Sequence, residues 1–287
     1  MNRLVVEHPG ASTLVQDLGR PGLAHLGVPA SGALDRGALT LANRLVGNPD
    51  GAAALEVLVG GLRARFEGET WFAVTGAWGS VTLDGRPIPP YAAARGRDGS
   101  VLELGTAARG IRYLLAVRGG IDVPPVLGSR SRDTLAALGP EPVVAGQALA
   151  IGAEPAASVP VVDQDVAFPP PADTVTLSLL HGPRADWFTD AARIALFEAP
   201  WRVSEQADRI GVRLVGPALE RRRTGELASE ATVPGAVQVA GDGRPTVLLA
   251  DRPVTGGYPV IAVVAPASLD AMAQVRPGQE LRFRHAH

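Results

Sequence analysis

Chemistry in this chain has to come from arginine, glutamine, aspartate and hydroxyl side chains set in glycine-rich loops, because two side chains often used for covalent work are missing. There is no cysteine, and all 27 basic residues are arginine. The first absence removes thiolate nucleophiles, disulfides and cysteine-bound metals. The second removes Schiff bases, a Walker-type phosphate lysine and covalently carried biotin. His8, His25, His181, His285 and His287 lack the H-E-x-x-H spacing of a metal helix, and His285 and His287 are read as a terminal tail. Neither a G-x-S-x-G elbow nor a glycine loop ending in lysine occurs, so no metal site and no nucleophile of a known type is expected.

What remains is concentrated in four stretches. QDLGRPG, from Gln16 to Gly22, runs on into GVPASGALDRGALTLAN from Gly27. Glycines flanking Arg20 make a tight turn able to aim a guanidinium, whose fork suits a carboxylate or phosphate. The same group can equally satisfy carbonyls or Asp17 inside the fold. Ser31 and Asp35 are read as caps of the following helix. The second stretch is AVRGGIDVP followed by LGSRSRD. Its Arg118, Gly119, Gly120, Ser129 and Arg130 read as a binding loop: adjacent glycines admit positive φ and close backbone approach, and the Ser/Arg alternation supplies donors to an anion. In the third, SEQADRIGVRLVG from Ser204, Asp208 and Arg209 can equally be an ion pair holding a turn. The fourth is GAVQVAGDGRPTVLLADRPVTGGYP from Gly235, with Gln238 on an apolar strand, Asp251 ending the next, and Thr255, Gly256, Gly257 and Tyr258 in a constrained loop. A polar side chain on a buried strand is costly unless hydrogen-bonded, so Gln238 needs a partner in a neighbouring loop or in a ligand.

The elements that must position these stretches are mainly strands. Glycine and proline punctuate short apolar or β-branched segments about every ten residues, the pattern of a mainly β protein. LVVEH from Leu4, ALEVLV from Ala54, WFAVTG from Trp71 and YLLAV from Tyr113 belong to a first series. VTLSLL from Val175, AVQVAG from Ala236, TVLLAD from Thr246 and ELRFR from Glu280 belong to a second. Helical periodicity predicts a helix over 33–46, stopped by Gly47-Asn48-Pro49, and further helices over 184–197 and 267–274. Proline-rich chain from Glu154 and from Ala167 marks a linker, placing a boundary near residue 170. Residues 1–170 and 171–287 would each form a small closed or nearly closed β-barrel with one or two packed helices.

A net charge of −2 with 29 acidic residues interspersed offers no basic field for nucleic acid. The apolar runs stop short of a membrane span, and the N-terminus lacks the apolar core of an export signal, so a cytoplasmic protein with no membrane association is expected.

In order and spacing, QDLGRPG with GVPASGALD, RGGI with LGSRS, DRIGVRL, GAVQV with GRPTVLLAD, TGGYP and AQVRPGQELRF resemble the allophanate hydrolase subunit 2 family. The family includes the C-type subunit of 5-oxoprolinase, a sporulation-inhibitor antagonist and a portion of urea amidolyase. The resemblance implies two cyclophilin-like β-barrel domains with a few packed helices. It also implies a C-type subunit that, with A- and B-type partners, couples ATP hydrolysis to opening of the 5-oxoproline lactam. ATP would be used by the complex and not bound by this chain alone, no biotin would be attached to it, and the chain would be inactive in isolation. The alternatives are a carboxyltransferase component acting on urea or a similar amide, and a non-catalytic module binding a B-type kinase inhibitor. On the oxoprolinase reading, Arg20 and Arg118 bind the substrate carboxylate beside Gly119, Gly120, Ser129 and Arg130. Gln238 orients the lactam, Asp251 holds a proton or positions an arginine, and Tyr258 caps a pocket walled by Thr255, Gly256 and Gly257. The chain departs from the family at Gly146-Gln147, where a Gly-Asp turn is usual, and at SRSRD, where Arg132 adds a charge.

Overall fold

The computed structural model describes residues 2–161 and 169–286; part of the expected linker, and His287, lie outside the described residues. Among the described residues strands dominate, with three α-helices: α1, Arg36–Leu45; α2, Asp190–Glu198; and α3, Leu269–Ala273. None is long and apolar enough to cross a membrane. The chain divides into two compact units. The first comprises Met1–Arg20, Asp35–Asp133 and Ala137–Pro170; the second takes Pro21–Leu34 and Thr134–Ala136 as well as Pro171–His287. Sequence punctuation shows only the break at 170. The earlier segments join the second unit through contacts such as burial of Leu34 in its core.

In the first unit a nine-stranded sheet has a main path ordered Ser12–Gln16, Ala54–Leu58, Val101–Val117, Leu62–Glu67, Arg3–Pro9 and Ala148–Ala150. Thr70–Leu83 pairs along most of Val101–Val117, and register shifts between Gly76 and Val81 bend this long pair. The alternating strands bury Leu4, Val6, Phe66, Phe72 and Leu115 on one face. Helix α1 begins where the Asp35 carboxylate accepts a hydrogen bond from the Ala38 amide at 2.8 Å. Leu39, Ala42 and Leu45 form its buried stripe. It starts later than periodicity suggested because Leu34, which continues the apolar pattern, packs before the helix.

The second unit is a closed barrel in the order Thr174–His181, Val260–Val264, Ala236–Val239, Pro245–Leu248, Gly211–Val215, Trp201–Ala207 and Glu280–His285. The last strand closes it by pairing parallel with the first. Its core holds Leu177, Phe188, Trp201, Leu214, Val237 and Phe283, and the Trp201 indole donates to the Leu196 carbonyl at 3.0 Å. Thr189 caps α2 through the Ala192 amide, so α2 starts six residues into the helical pattern, after a short 3-10 turn at Ala185–Trp187. His285, expected in a tail, ends the closing strand and stacks on Phe197 with ring centroids 3.8 Å apart.

Candidate functional site

In the first unit, three of the expected residues line one cavity of about 450 Å³: Gly119, Gly120 and Arg130, joined by Asn48 and Asp122. The floor is backbone. Gly119 has φ 97°, and a Cβ there would lie 2.3 Å from the Gly152 carbonyl oxygen, so any side chain would push the two segments apart. Asn48 pins this turn from just beyond the end of α1. Its amide donates to the Val117 carbonyl at 2.8 Å and accepts from the Gly119 amide at 2.8 Å. On the wall, Arg130 donates to Asp122 at 3.1 Å in a half-exposed pair, with Nε buried and without a partner among the described residues. The cavity thus offers a cation and an anion above a flat peptide floor, a combination suited to a small polar molecule bearing a carboxylate and an amide.

Behind this wall lies the Asp17 carboxylate. One oxygen accepts from the Gly19 amide at 2.7 Å and from the Ser129 and Ser131 hydroxyls at 2.6 Å each; the other accepts from the Arg130 amide at 2.6 Å. Ser129 is therefore a strut that holds the Arg130 loop. Arg20 is 2% exposed and donates to the carbonyls of Val126 and Ser131. Arg118 is also buried; its guanidinium donates to Val46, Pro155 and Ala157 carbonyls and lies 3.4 Å from Glu154. Both guanidinia donate to backbone carbonyls, the structural alternative noted for Arg20, while Nη1 of Arg20 is buried without a hydrogen-bond partner among the described residues.

In the second unit, the stretches containing Ser31, Thr134, Arg209 and Asp251 meet at one point. The Asp251 carboxylate, 0% exposed, accepts from the Ser31 hydroxyl at 2.6 Å and from the Thr134 amide and hydroxyl at 2.9 and 2.8 Å. Arg209 donates to it through Nε at 2.9 Å and Nη2 at 3.1 Å, and Nη2 also reaches the Gly32 carbonyl at 2.6 Å. Burial would raise the Asp251 pKa; the Arg209 charge and these hydrogen bonds more than offset it, holding the carboxyl below its usual range. Asp251 is therefore a clamp with its acceptor positions occupied, and it positions an arginine in place of holding a proton. Two local readings change with it. Ser31, at φ 52°, caps no helix and serves the clamp. Asp208 accepts from the Ile210 and Gly211 amides within its turn, leaving Arg209 for Asp251.

Gln238, on the wholly buried strand Ala236–Val239, donates to the Tyr258 carbonyl at 3.3 Å, so its partner is the TGGYP loop. Thr255–Gly256 pairs with Glu230–Ala231 in a two-stranded ribbon, and Arg184 forms an ion pair with Glu230 at its end. A Cβ on Gly256 would lie 2.6 Å from Gln238 Nε2. The Tyr258 ring is half-exposed and caps none of the described cavities. Two residues were not singled out from sequence. Asn48 was read only as part of a helix stop, and Arg252 follows the more conspicuous Asp251. Arg252 is 8% exposed, and burial lowers its pKa.

A mainly β chain with a closed barrel and these glycine-loop sites is the architecture of a carboxyltransferase domain. The family model for the carboxyltransferase domain, subdomain A and B, matches residues 26–285, and the chain belongs to that family. It is 38% identical to the C-type subunit of 5-oxoprolinase from Escherichia coli, covering 98% of this chain and 90% of that protein. It is 35% identical to the Saccharomyces cerevisiae urea amidolyase, covering 96% of this chain and 16% of that protein. The solved Kluyveromyces lactis urea carboxylase superposes with a TM-score of 0.90 at 30% identity, covering 99% of this chain and 27% of that one. The solved chains it resembles are longer, and this chain spans between 19% and 56% of them.

Proposed function

We propose that this chain is the C-type subunit of a 5-oxoprolinase and works with A- and B-type partners to open the lactam of 5-oxoproline to glutamate at the expense of ATP. The observation that carries this reading is the 38% identity to a C-type subunit of 5-oxoprolinase across nearly the full length of both proteins. In this role the first-unit cavity binds and orients. Arg130 attracts the substrate carboxylate, and the Gly119-Gly120 floor lets a flat ring lie against the backbone. Within the second unit, Gln238 is held to the TGGYP loop. Asp251, Ser129, Arg20 and Arg118 keep these loops in place. The nucleotide fits a partner better than this chain, which has no lysine to meet its phosphates.

The test is reconstitution. The chain alone is expected to release no glutamate from 5-oxoproline, and mixing with A- and B-type partners and ATP to restore release. Steady release by the pure chain, or none by the full mixture, sinks the reading. The urea amidolyase and urea carboxylase similarities favour a second reading, carboxyl transfer to urea. None of these 287 residues is a lysine that could carry biotin, so that activity would draw on biotin carried elsewhere, and urea-dependent consumption of its carboxyl group would identify it.

A further inference from the structure

The cavity of about 450 Å³ in the first unit offers a ligand few handles. Asn48 spends both amide hydrogens inside the fold, donating to Asn43 Oδ1 at 3.0 Å and to the Val117 carbonyl at 2.8 Å, and its oxygen accepts from the Gly119 amide at 2.8 Å. Apart from Asn48, Arg130 and Asp122, the lining is glycine, alanine, proline and Ile121. The two charged groups are opposite in sign, with Arg130 Nη2 3.1 Å from Asp122 Oδ1. Neither Arg130 Nη1 nor Asp122 Oδ2 makes a hydrogen bond among the described residues. Both side chains stand on backbone that is tied down. The Asp122 amide donates to the Ala150 carbonyl at 2.8 Å, the Ile121 amide to the Ala53 carbonyl at 2.8 Å, and the Arg130 amide to Asp17 at 2.6 Å. Anchored in this way, the two charges face a ligand with little further ordering to be done on binding. A half-exposed ion pair adds little stability, and Asp17 already holds the Arg130 loop, so the fold itself does not need Asp122 opposite Arg130.

A simple anion would meet Arg130 and be repelled by Asp122; a ligand with a carboxylate and an N–H on the same carbon satisfies both. We propose that Asp122 is a specificity-determining residue that reads the N–H beside the carboxylate taken by Arg130. The cavity is then a site for α-amido and α-amino carboxylates, and it holds the ring-opened product more tightly than the lactam. The choice of lactam and product rests on the 5-oxoprolinase reading; the demand for a carboxylate next to an N–H does not. In 5-oxoproline the ring nitrogen and the carboxylate share one carbon, so a neutral N–H faces Asp122. Hydrolysis breaks the bond between that nitrogen and the carbonyl carbon. Water supplies the second oxygen of the new carboxylate, and the nitrogen keeps the bonding pair and ends as an ammonium on the same carbon. Asp122 then faces a cation in place of a neutral donor, and Coulomb attraction adds to the hydrogen bond. Release of glutamate works against this residue, and glutamate competes with the substrate for the cavity.

The experiment uses the chain reconstituted with A- and B-type partners and ATP, follows consumption of 5-oxoproline, and compares inhibition by L-glutamate and by glutarate, which lacks only the amine. In wild type, L-glutamate should inhibit competitively and at least about tenfold more tightly than glutarate, a ratio within reach of one ion-paired ammonium. Asp122→Asn should raise the L-glutamate inhibition constant until the two inhibitors are alike, and should raise KM for 5-oxoproline by a smaller factor. Glutarate should inhibit this variant as well as wild type or better, because Arg130 loses a competitor for its charge. A purely structural Asp122 would weaken both inhibitors alike, so an unchanged ratio in Asp122→Asn overturns the proposal. A wild-type ratio near one overturns it without any variant, and leaves the 5-oxoprolinase reading standing. If the wild-type complex consumes no 5-oxoproline, that reading fails, and the unfolding temperature of the isolated chain decides this proposal alone. Stabilisation by L-glutamate and not by glutarate, lost in Asp122→Asn, then supports it, and no difference between the two ligands overturns it.

Discussion

Two buried carboxylates, Asp17 in the first unit and Asp251 in the second, both gather distant loops but are satisfied differently. Asp17 takes its hydrogen bonds from amides and hydroxyls. Asp251 adds the Arg209 guanidinium to its hydroxyl and amide donors. A carboxylate held by neutral dipoles can be replaced by an amide at modest cost, because no charge is left behind. One paired with a buried cation cannot, since its loss strands the partner. The contrast separates a knot that supports a cavity wall from one that ties chain segments onto a barrel.

The largest expected effect follows from that difference. Asp251→Ala should destabilise the chain by about 3–5 kcal/mol by leaving Arg209 buried and unpaired. Asp17→Asn should cost about 1–3 kcal/mol. Urea unfolding of both variants checks the ranking, and equal losses would erase the distinction drawn between the knots. Glycine at the cavity floor comes next. Gly119→Ala places a methyl against the Gly152 carbonyl at positive φ, and should cost about 1–3 kcal/mol and reduce turnover in the complex.

The pH dependence of stability tests the Asp251 knot further. The Asp251 pKa is held below that of an unfolded aspartate. Its contribution to stability is therefore complete above pH about 4 and is lost as pH falls through the lower folded value. Asp251→Asn should flatten the acid limb of a stability-against-pH curve; an unchanged limb would show that Arg209 does not govern that carboxylate. Gln238→Leu sharpens the picture from the other side. It should change stability by less than about 1.5 kcal/mol, because both ends of one long hydrogen bond adjust. Lost turnover in a folded, assembled variant would make Gln238 a recognition residue, and full turnover would leave it only a support of the TGGYP loop. The smallest stability change is expected for Arg130→Ala, about 0–1 kcal/mol for a half-exposed pair, with a clear rise in KM if the cavity binds the substrate.

The alternation of apolar residues and the glycine and proline punctuation were enough to determine a mainly β chain, because side-chain period and turn chemistry are local properties. Helix α1 and its stop at Asn48 were legible for the same reason, as was the need for a partner for Gln238. The absence of lysine and cysteine excluded whole reaction classes without any structure. Partner choice was not legible. Asp208 stands beside Arg209 in sequence, yet Arg209 pairs with Asp251, and Ser31 resembles a helix cap while binding a carboxylate 220 residues away. Arg20 and Arg118 carry the residue type and flanking glycines of ligand-binding arginines, and only the fold showed both guanidinia donating to backbone carbonyls, with Nη1 of Arg20 left over. A side chain's type states which bonds it can make; which of them form depends on the groups that long-range packing brings within about 3 Å, and sequence spacing does not encode that distance.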